Sequence, residues 1–220
     1  MDAPSVLLRH PVFAASILAL SLARPVAAAV CVDADVRLTG LPLNRVVLEA
    51  MMNEAAAIWA PYGLAFRWTD RAAPDRCQAV DSPVAVQVDN TPTRRSNARR
   101  PVTLGTTRVS LSRAGPVPIR LDYAAVERLV GSLTADTLGR LVGRQRLAPS
   151  DVGRALGRVL AHEVGHVLLG GSGHSRKGLM RASFIPSELV DVRRRSYTLS
   201  SAEVARLAER AAAHESVIDD

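Results

Sequence analysis

Three histidines and a glutamate between residues 162 and 174 are the part of the sequence best suited to chemistry. His162 and His166 lie four residues apart in an apolar helical pattern. Because an α-helix completes a turn every 3.6 residues, both imidazoles project from one face, about one turn apart. This spacing suits two ligands of a single zinc ion. Glu163 would stand beside the open coordination position of that ion, where its carboxylate can take a proton from a bound water.

A third ligand is predicted from the glycine-rich segment that follows. After Leu169 the chain reads Gly-Gly-Ser-Gly and then His174. Glycine adopts the left-handed backbone angles that end a helix, so this segment can return His174 towards the helix face it has just left. Three histidines and a water would make a catalytic zinc site, and a solvated loop histidine is the alternative for His174. If His174 is not a ligand, Glu188 is the substitute and Asp191 a weaker one.

The stretch resembles the metzincin metallopeptidases, whose pattern is H-E-x-x-H-x-x-G-x-x-H followed by a methionine turn. The matching residues are His162, Glu163, His166, His174 and Met180. Leu169 occupies the family's glycine position, and His174 lies two residues later than the pattern has it. The resemblance covers about twenty residues. It implies zinc as cofactor and endopeptidase activity on a peptide or protein substrate.

The resemblance also implies a fold and a role for one methionine. The expected fold is α+β, with a mixed twisted sheet, a backing helix, an active-site helix and a small C-terminal helical subdomain. Met180 is expected to form an apolar floor under the metal, and an ordinary core methionine is the alternative. Tyr197, downstream of this turn, is either structural or a donor to a developing oxyanion.

The first 29 residues have the layout of a secretory signal peptide. A weakly basic start precedes an apolar run at residues 12–23 and three alanines that end at Ala29. We expect cleavage after Ala29, which leaves a metallopeptidase-like domain at residues 30–220 in a secreted or periplasmic protein. The apolar run is too short for a comfortable membrane span, so no stable span is expected after cleavage. An uncleaved anchor is the alternative.

The two cysteines, Cys31 and Cys77, would both belong to the exported domain. In an oxidising compartment an even pair is more often a disulfide than two free thiols, so we predict that they are bonded. A zinc-ligand role is disfavoured because neither cysteine has the paired C-x-x-C spacing.

The net charge of +7 raises nucleic acid and anionic membranes as possible partners. Arginine dominates this charge, since Lys177 is the single lysine. The arginine clusters at residues 94–100 and 193–195 have no interleaved aromatic side chains on which bases could stack. We therefore predict that both clusters are solvated loops. No nucleic-acid partner is expected.

Hydrophobic periodicity predicts a strand, a helix, four strands and three further helices, in that order. A chain of 220 residues that is 48% hydrophobic can bury one substantial core. The predicted strands are residues 31–38, 63–69, 84–89, 103–111 (a weaker strand or an irregular edge) and 119–123. The predicted helices are residues 43–59, 124–147 (one helix or two pieces, because of its glycines), 150–169 and a terminal helix after residue 200. Ser150 or Asp151 is predicted to cap the helix that carries the histidines.

The sequence therefore favours a secreted or periplasmic zinc-dependent endopeptidase. The alternative is an exported zinc-binding protein without peptidase activity, whose metal site is structural or degenerate. An arginine-rich binder of nucleic acid or anionic polymers ranks last.

Overall fold

A computed structural model describes residues 29–69, 77–79, 83–91, 103–108, 115–136, 147–171 and 173–218. In these ranges the chain is α+β, with a six-stranded mixed sheet and several helices. The predicted signal peptide lies outside the described residues except for Ala29, and so does the arginine cluster at residues 94–100. Among the described helices, none is both long and apolar enough to cross a membrane.

The sheet is parallel except at one edge. Its strand order is β2-β1-β4-β6-β5, and β3 also pairs with β1. Only β5, paired with β6, runs antiparallel. The strands are β1 (Ala29–Gly40), β2 (Leu64–Trp68), β3 (Cys77–Ala79), β4 (Val84–Asn90), β5 (Gly105–Thr107) and β6 (Val117–Asp122).

The predicted strands are all present, with shifted ends. In β2 and β4 every second side chain is buried, as expected for strands with one face on the core. The short strand β3 was not predicted; residues 70–82 were expected to be a connection. Three residues carry no readable periodicity, and β3 exists through its pairing with the distant β1. Cys31, on β1, is buried and disulfide-bonded, and Cys77 is the only other cysteine in the sequence.

Five α-helices cover or flank the sheet in the described part of the chain. Asn44 caps the first, since its side chain accepts a hydrogen bond from the amide of Val46. Ser200 and Glu203 form the reciprocal capping box expected for the last. The helices are α1 (Arg45–Trp59), α2 (Tyr123–Asp136), α3 (Pro149–Leu169), α4 (Pro186–Val190) and α5 (Ser201–Ile218).

One helix prediction needs correction, and another is only partly covered by the described residues. The cap of α3 is not Ser150 or Asp151, because the helix begins at Pro149 and Ala148 is its N-cap residue. Asp151 instead accepts a hydrogen bond from the Ala148 amide at 3.3 Å. The described part of α2, Tyr123–Asp136, agrees with the first half of the helix predicted at residues 124–147, and most of the remainder of that range lies outside the described residues.

Helix α3 is the buried centre of the molecule. Nearly every residue from Val152 to Leu169 is buried. Glycines allow α3 to approach α1 closely: a side chain at Gly153 or Gly157 would meet the α1 backbone at Val47 or Met51. The helix that carries the histidines is therefore held on several sides.

A buried arginine joins α3 to the chain that follows the histidines. Arg158 is fully buried, donates to Glu54 on α1 at 2.9 Å, and lies 4.5 Å above the ring of Tyr197. It also donates to the carbonyls of Glu188, Asp191 and Arg193. The arginine cluster at residues 193–195 is exposed, as predicted, whereas Tyr197, which contacts Arg158, is only 2% exposed.

Candidate metal site

Helix α3 holds two imidazoles with their Nε2 atoms 3.1 Å apart. The Nδ1 atom of His162 lies 2.8 Å from the Leu179 carbonyl, and that of His166 lies 2.8 Å from the Gly171 carbonyl. A carbonyl only accepts, so each neutral ring must carry its proton on Nδ1. Each Nε2 then presents a lone pair, and two lone pairs at this distance repel unless a cation lies between them. The backbone thus leaves both Nε2 atoms available to bind a metal ion.

His174 completes a group of three. Gly170 has φ 66°, the left-handed conformation that ends α3, and the chain turns back at this point. The His174 ring centroid lies 5.3 Å from that of His162 and 5.0 Å from that of His166. One ligand atom from each histidine lies within 4.8 Å of the others, so the group can hold a metal ion. His174 lies two residues later than in the metzincin pattern. The chain accommodates these two residues because α3 continues through Leu169 before the chain turns.

Burial keeps His162 in the form that binds metals. Its pKa is lowered to about 4, mainly because burial disfavours the charged ring, and positive neighbours act in the same direction. A neutral imidazole is required for coordination. His174 is exposed, whereas His162 and His166 are buried, so the group opens to solvent on the His174 side.

Glu163 lies beside the histidines and contacts the antiparallel edge strand. The hydroxyl of Thr107 donates to Glu163 Oε2 at 2.6 Å and lies 3.1 Å from the Glu163 carbonyl. Burial raises the pKa of the Glu163 carboxyl, while the Thr107 hydrogen bond and the nearby His174 act against this. Thr107 was not identified from the sequence, because it lies 56 residues from Glu163 in a strand too short to show a pattern.

Met180 packs against α3 between the two histidines of that helix. It is 2% exposed, and its sulfur fills the space that any side chain at Gly165 would need. Hydrogen bonds from Ser175 to the Met180 carbonyl (2.8 Å) and from Leu179 to the Thr198 carbonyl (2.9 Å) hold the turn. The same turn supplies the Leu179 carbonyl that orients His162, so it supports the site whichever role the methionine has.

The substitute ligands have other partners. Glu188 forms an ion pair with Arg181 at 2.6 Å and accepts from Ser196 at 3.1 Å. Asp191 accepts from the amide of Arg193 at 3.0 Å. The group that can hold a metal contains neither carboxylate in the described part of the chain.

Aromatic side chains form a wall next to His162. The ring of Phe184 meets His162 edge-on at 5.3 Å and stacks on Tyr197 at 6.1 Å. The Tyr197 hydroxyl lies 3.4 Å from a guanidinium nitrogen of Arg181. Burial raises the pKa of Tyr197. Tyr197 is therefore packed between Phe184 and Arg158, which makes it a structural part of the wall.

No family of known proteins matches the chain, and no curated protein is detectably similar to it in sequence. The chemistry of the site therefore rests on the residues described above.

Proposed function

We propose that the protein is a zinc-dependent endopeptidase that acts after export. The observation that carries the proposal is the group of His162, His166 and His174 with Glu163 beside it. Three neutral imidazoles and one open position are the donor set of a catalytic zinc site, whereas structural zinc sites use four protein ligands. The resemblance to metzincins supports the same reading.

The histidine group suits zinc better than a hard cation. Imidazole nitrogen is a good ligand for zinc, whereas magnesium and calcium prefer carboxylate and carbonyl oxygens. A bound zinc ion would polarise the substrate carbonyl and lower the pKa of a water molecule towards 7. The carbonyls of Leu179 and Gly171 orient two of the three rings for this task.

Glu163 is assigned as general base and then general acid. Its carboxylate takes a proton from the attacking water, and it later gives that proton to the leaving amine. Burial suits this role, because a carboxyl whose pKa is raised accepts a proton more readily at neutral pH. The Thr107 hydrogen bond opposes this rise in the pKa of Glu163, because it favours the charged carboxylate.

A peptide substrate is favoured by the strand next to Glu163. β5 is the edge strand of the sheet, so its outer backbone groups have no neighbouring strand in the described residues. Such an edge can pair with an extended peptide through main-chain hydrogen bonds. Because Thr107 on this strand contacts Glu163, a peptide held there would pass close to the proposed base.

The decisive experiment combines metal content with cleavage. We expect wild-type protein purified with zinc to hold about one zinc per chain and to cut unfolded casein or a mixed quenched-fluorescent peptide library. Glu163→Gln should retain the zinc and lose at least about 100-fold in kcat, the contribution typical of a general base. His174→Ala should lose zinc. Glu209→Gln, which changes an exposed glutamate on α5, is the matched control.

Undiminished cleavage by Glu163→Gln would refute the mechanism. Full zinc binding without cleavage of any substrate, in wild-type protein as well, would favour the exported zinc-binding protein without peptidase activity. Salt-sensitive binding of nucleic acid that survives both substitutions would favour the third hypothesis.

A further inference from the structure

Strand β5 turns one face towards Glu163. Gly105 and Thr107 are two residues apart, so both lie on the same side of the strand. Both are next to Glu163. The Thr107 hydroxyl contacts the Glu163 carboxylate, and Gly105, which has no side chain, leaves room for that carboxylate. Thr106 lies between them and is exposed.

The Thr107 hydroxyl is well placed to hold one carboxylate oxygen. Its 2.6 Å distance to Glu163 Oε2 is that of a charge-assisted O–H···O bond. The hydroxyl has a single proton, and the Glu163 carbonyl lies farther away at 3.1 Å, so the carboxylate is the preferred acceptor. Threonine is branched at Cβ, which restricts its χ1 angle and reduces the entropy lost in this contact.

Gly105 makes the close approach of strand and carboxylate possible. A Cβ atom at position 105 would lie 2.8 Å from Glu163 Oε1 and 2.8 Å from a methyl group of Val159. Both distances are shorter than van der Waals contact. Any other residue at this position would therefore push the Glu163 side chain away from its present place.

The strand that carries both residues is itself anchored. The Asp122 amide donates to the Leu104 carbonyl at 2.9 Å, and the Arg108 amide donates to the Pro118 carbonyl at 3.3 Å. These bonds lie just beyond the two ends of β5, and both tie it to β6. Thr107 is thus fixed by the sheet, while Glu163 is fixed by α3.

We propose that Thr107 is the positioning residue of Glu163: its hydroxyl holds the carboxylate in the orientation that the water reaction needs, in the space left by Gly105. This inference rests on the proposed function, since Glu163 is the base only in a hydrolase. A misplaced base affects the chemical step rather than substrate binding. Displacements of about 1 Å at a reacting group can cost about 100-fold in rate.

The test compares two substitutions at position 107. Thr107→Val removes the hydroxyl at nearly constant shape, and we expect kcat to fall by about 10- to 100-fold with KM changed less than about threefold and zinc content unchanged. Thr107→Ser retains the hydroxyl and should restore most of kcat. Thr69→Val is the matched control, because the Thr69 hydroxyl also donates a hydrogen bond, to the Ala34 carbonyl, but at the opposite edge of the sheet.

A second readout does not depend on activity. In metal-free protein, Thr107→Val should lower Tm more when Glu163 is present than in a Glu163→Ala background, because the bond to the carboxylate exists only in the first case, whereas the weaker contact with the backbone carbonyl of residue 163 exists in both. Equal Tm losses in both backgrounds would overturn the proposal. So would a Thr107→Val enzyme with the kcat of the wild type, or a Thr107→Ser enzyme as slow as Thr107→Val.

Failure of this proposal is distinguishable from failure of the proposed function. If the wild type cleaves, Glu163→Gln does not, and Thr107→Val is fully active, only the positioning role is refuted. If Glu163→Gln cleaves as well as the wild type, the general-base role falls, and the positioning role falls with it.

Discussion

Breaking the buried pair of Glu54 and Arg158 should destabilise the protein more than breaking any exposed ion pair of the described residues. Glu54 is 4% exposed and Arg158 is fully buried, and the two are joined at 2.9 Å. Glu54 also pairs with Arg194 at 2.7 Å, but the Arg194 side chain is 47% exposed. The perturbation we choose is Glu54→Gln, which retains the shape of the side chain and removes its charge.

The expected loss follows from what Arg158 has left after the substitution. Its three backbone acceptors remain, but Glu54 is its one ion-pair partner among the described residues, so the buried charge loses its counterion. Removing one partner of a buried pair typically costs about 3–5 kcal/mol, and for a protein of this size that corresponds to a fall in Tm of roughly 6–20 °C. Arg194→Gln should cost at most about 1 kcal/mol, because Arg194 is half in water.

The assay is urea unfolding of metal-free protein at neutral pH, followed by circular dichroism. Chelation is needed because a bound metal would add its own stabilisation to every variant. Comparison of Glu54→Gln with Arg194→Gln separates the buried contact from the exposed one on the same carboxylate. If Glu54→Gln loses no more free energy of unfolding than Arg194→Gln, the reasoning about the buried charge is wrong.

Two further predictions concern the site. Gly165→Ala should destabilise the protein by about 1–3 kcal/mol, because the new methyl group overlaps Met180. Gly131→Ala in α2 is the control: a Cβ there meets nothing within 4 Å, so this substitution should stabilise the protein by about 0.5–1 kcal/mol. Denaturant unfolding of both variants checks this, and a gain in stability from Gly165→Ala would contradict it. The pKa of His162 is lowered to about 4 in the folded state, so the unfolded chain binds more protons at this residue between about pH 6.5 and 4. Metal-free protein should therefore lose stability as pH falls through that window, by up to about 1.4 kcal/mol per pH unit from this residue, and a wild-type profile as flat as that of His162→Gln would refute the assignment.

Local patterns in the sequence were enough to predict most of the secondary structure. The alternation in β2 and β4 and the cap at Asn44 are properties of neighbouring residues, so they could be read without the fold. Features that are short, or that depend on distant parts of the chain, could not be predicted in this way. Strand β3 depends on pairing with β1, and the burial of Tyr197 depends on Arg158, which lies 39 positions earlier in the chain.

For the site, the sequence by itself determined which side chains have metal-binding chemistry and that His162 and His166 share a helix face, because helical spacing is a local property. Tertiary structure decided the remainder: His174 lies near the other two because of where Gly170 ends α3, and the carbonyl at Leu179 comes from a turn held by Thr198. Thr107 reaches Glu163 only because the sheet edge packs against α3. Contacts between distant segments depend on how whole elements pack, and no spacing of residues along the chain records that.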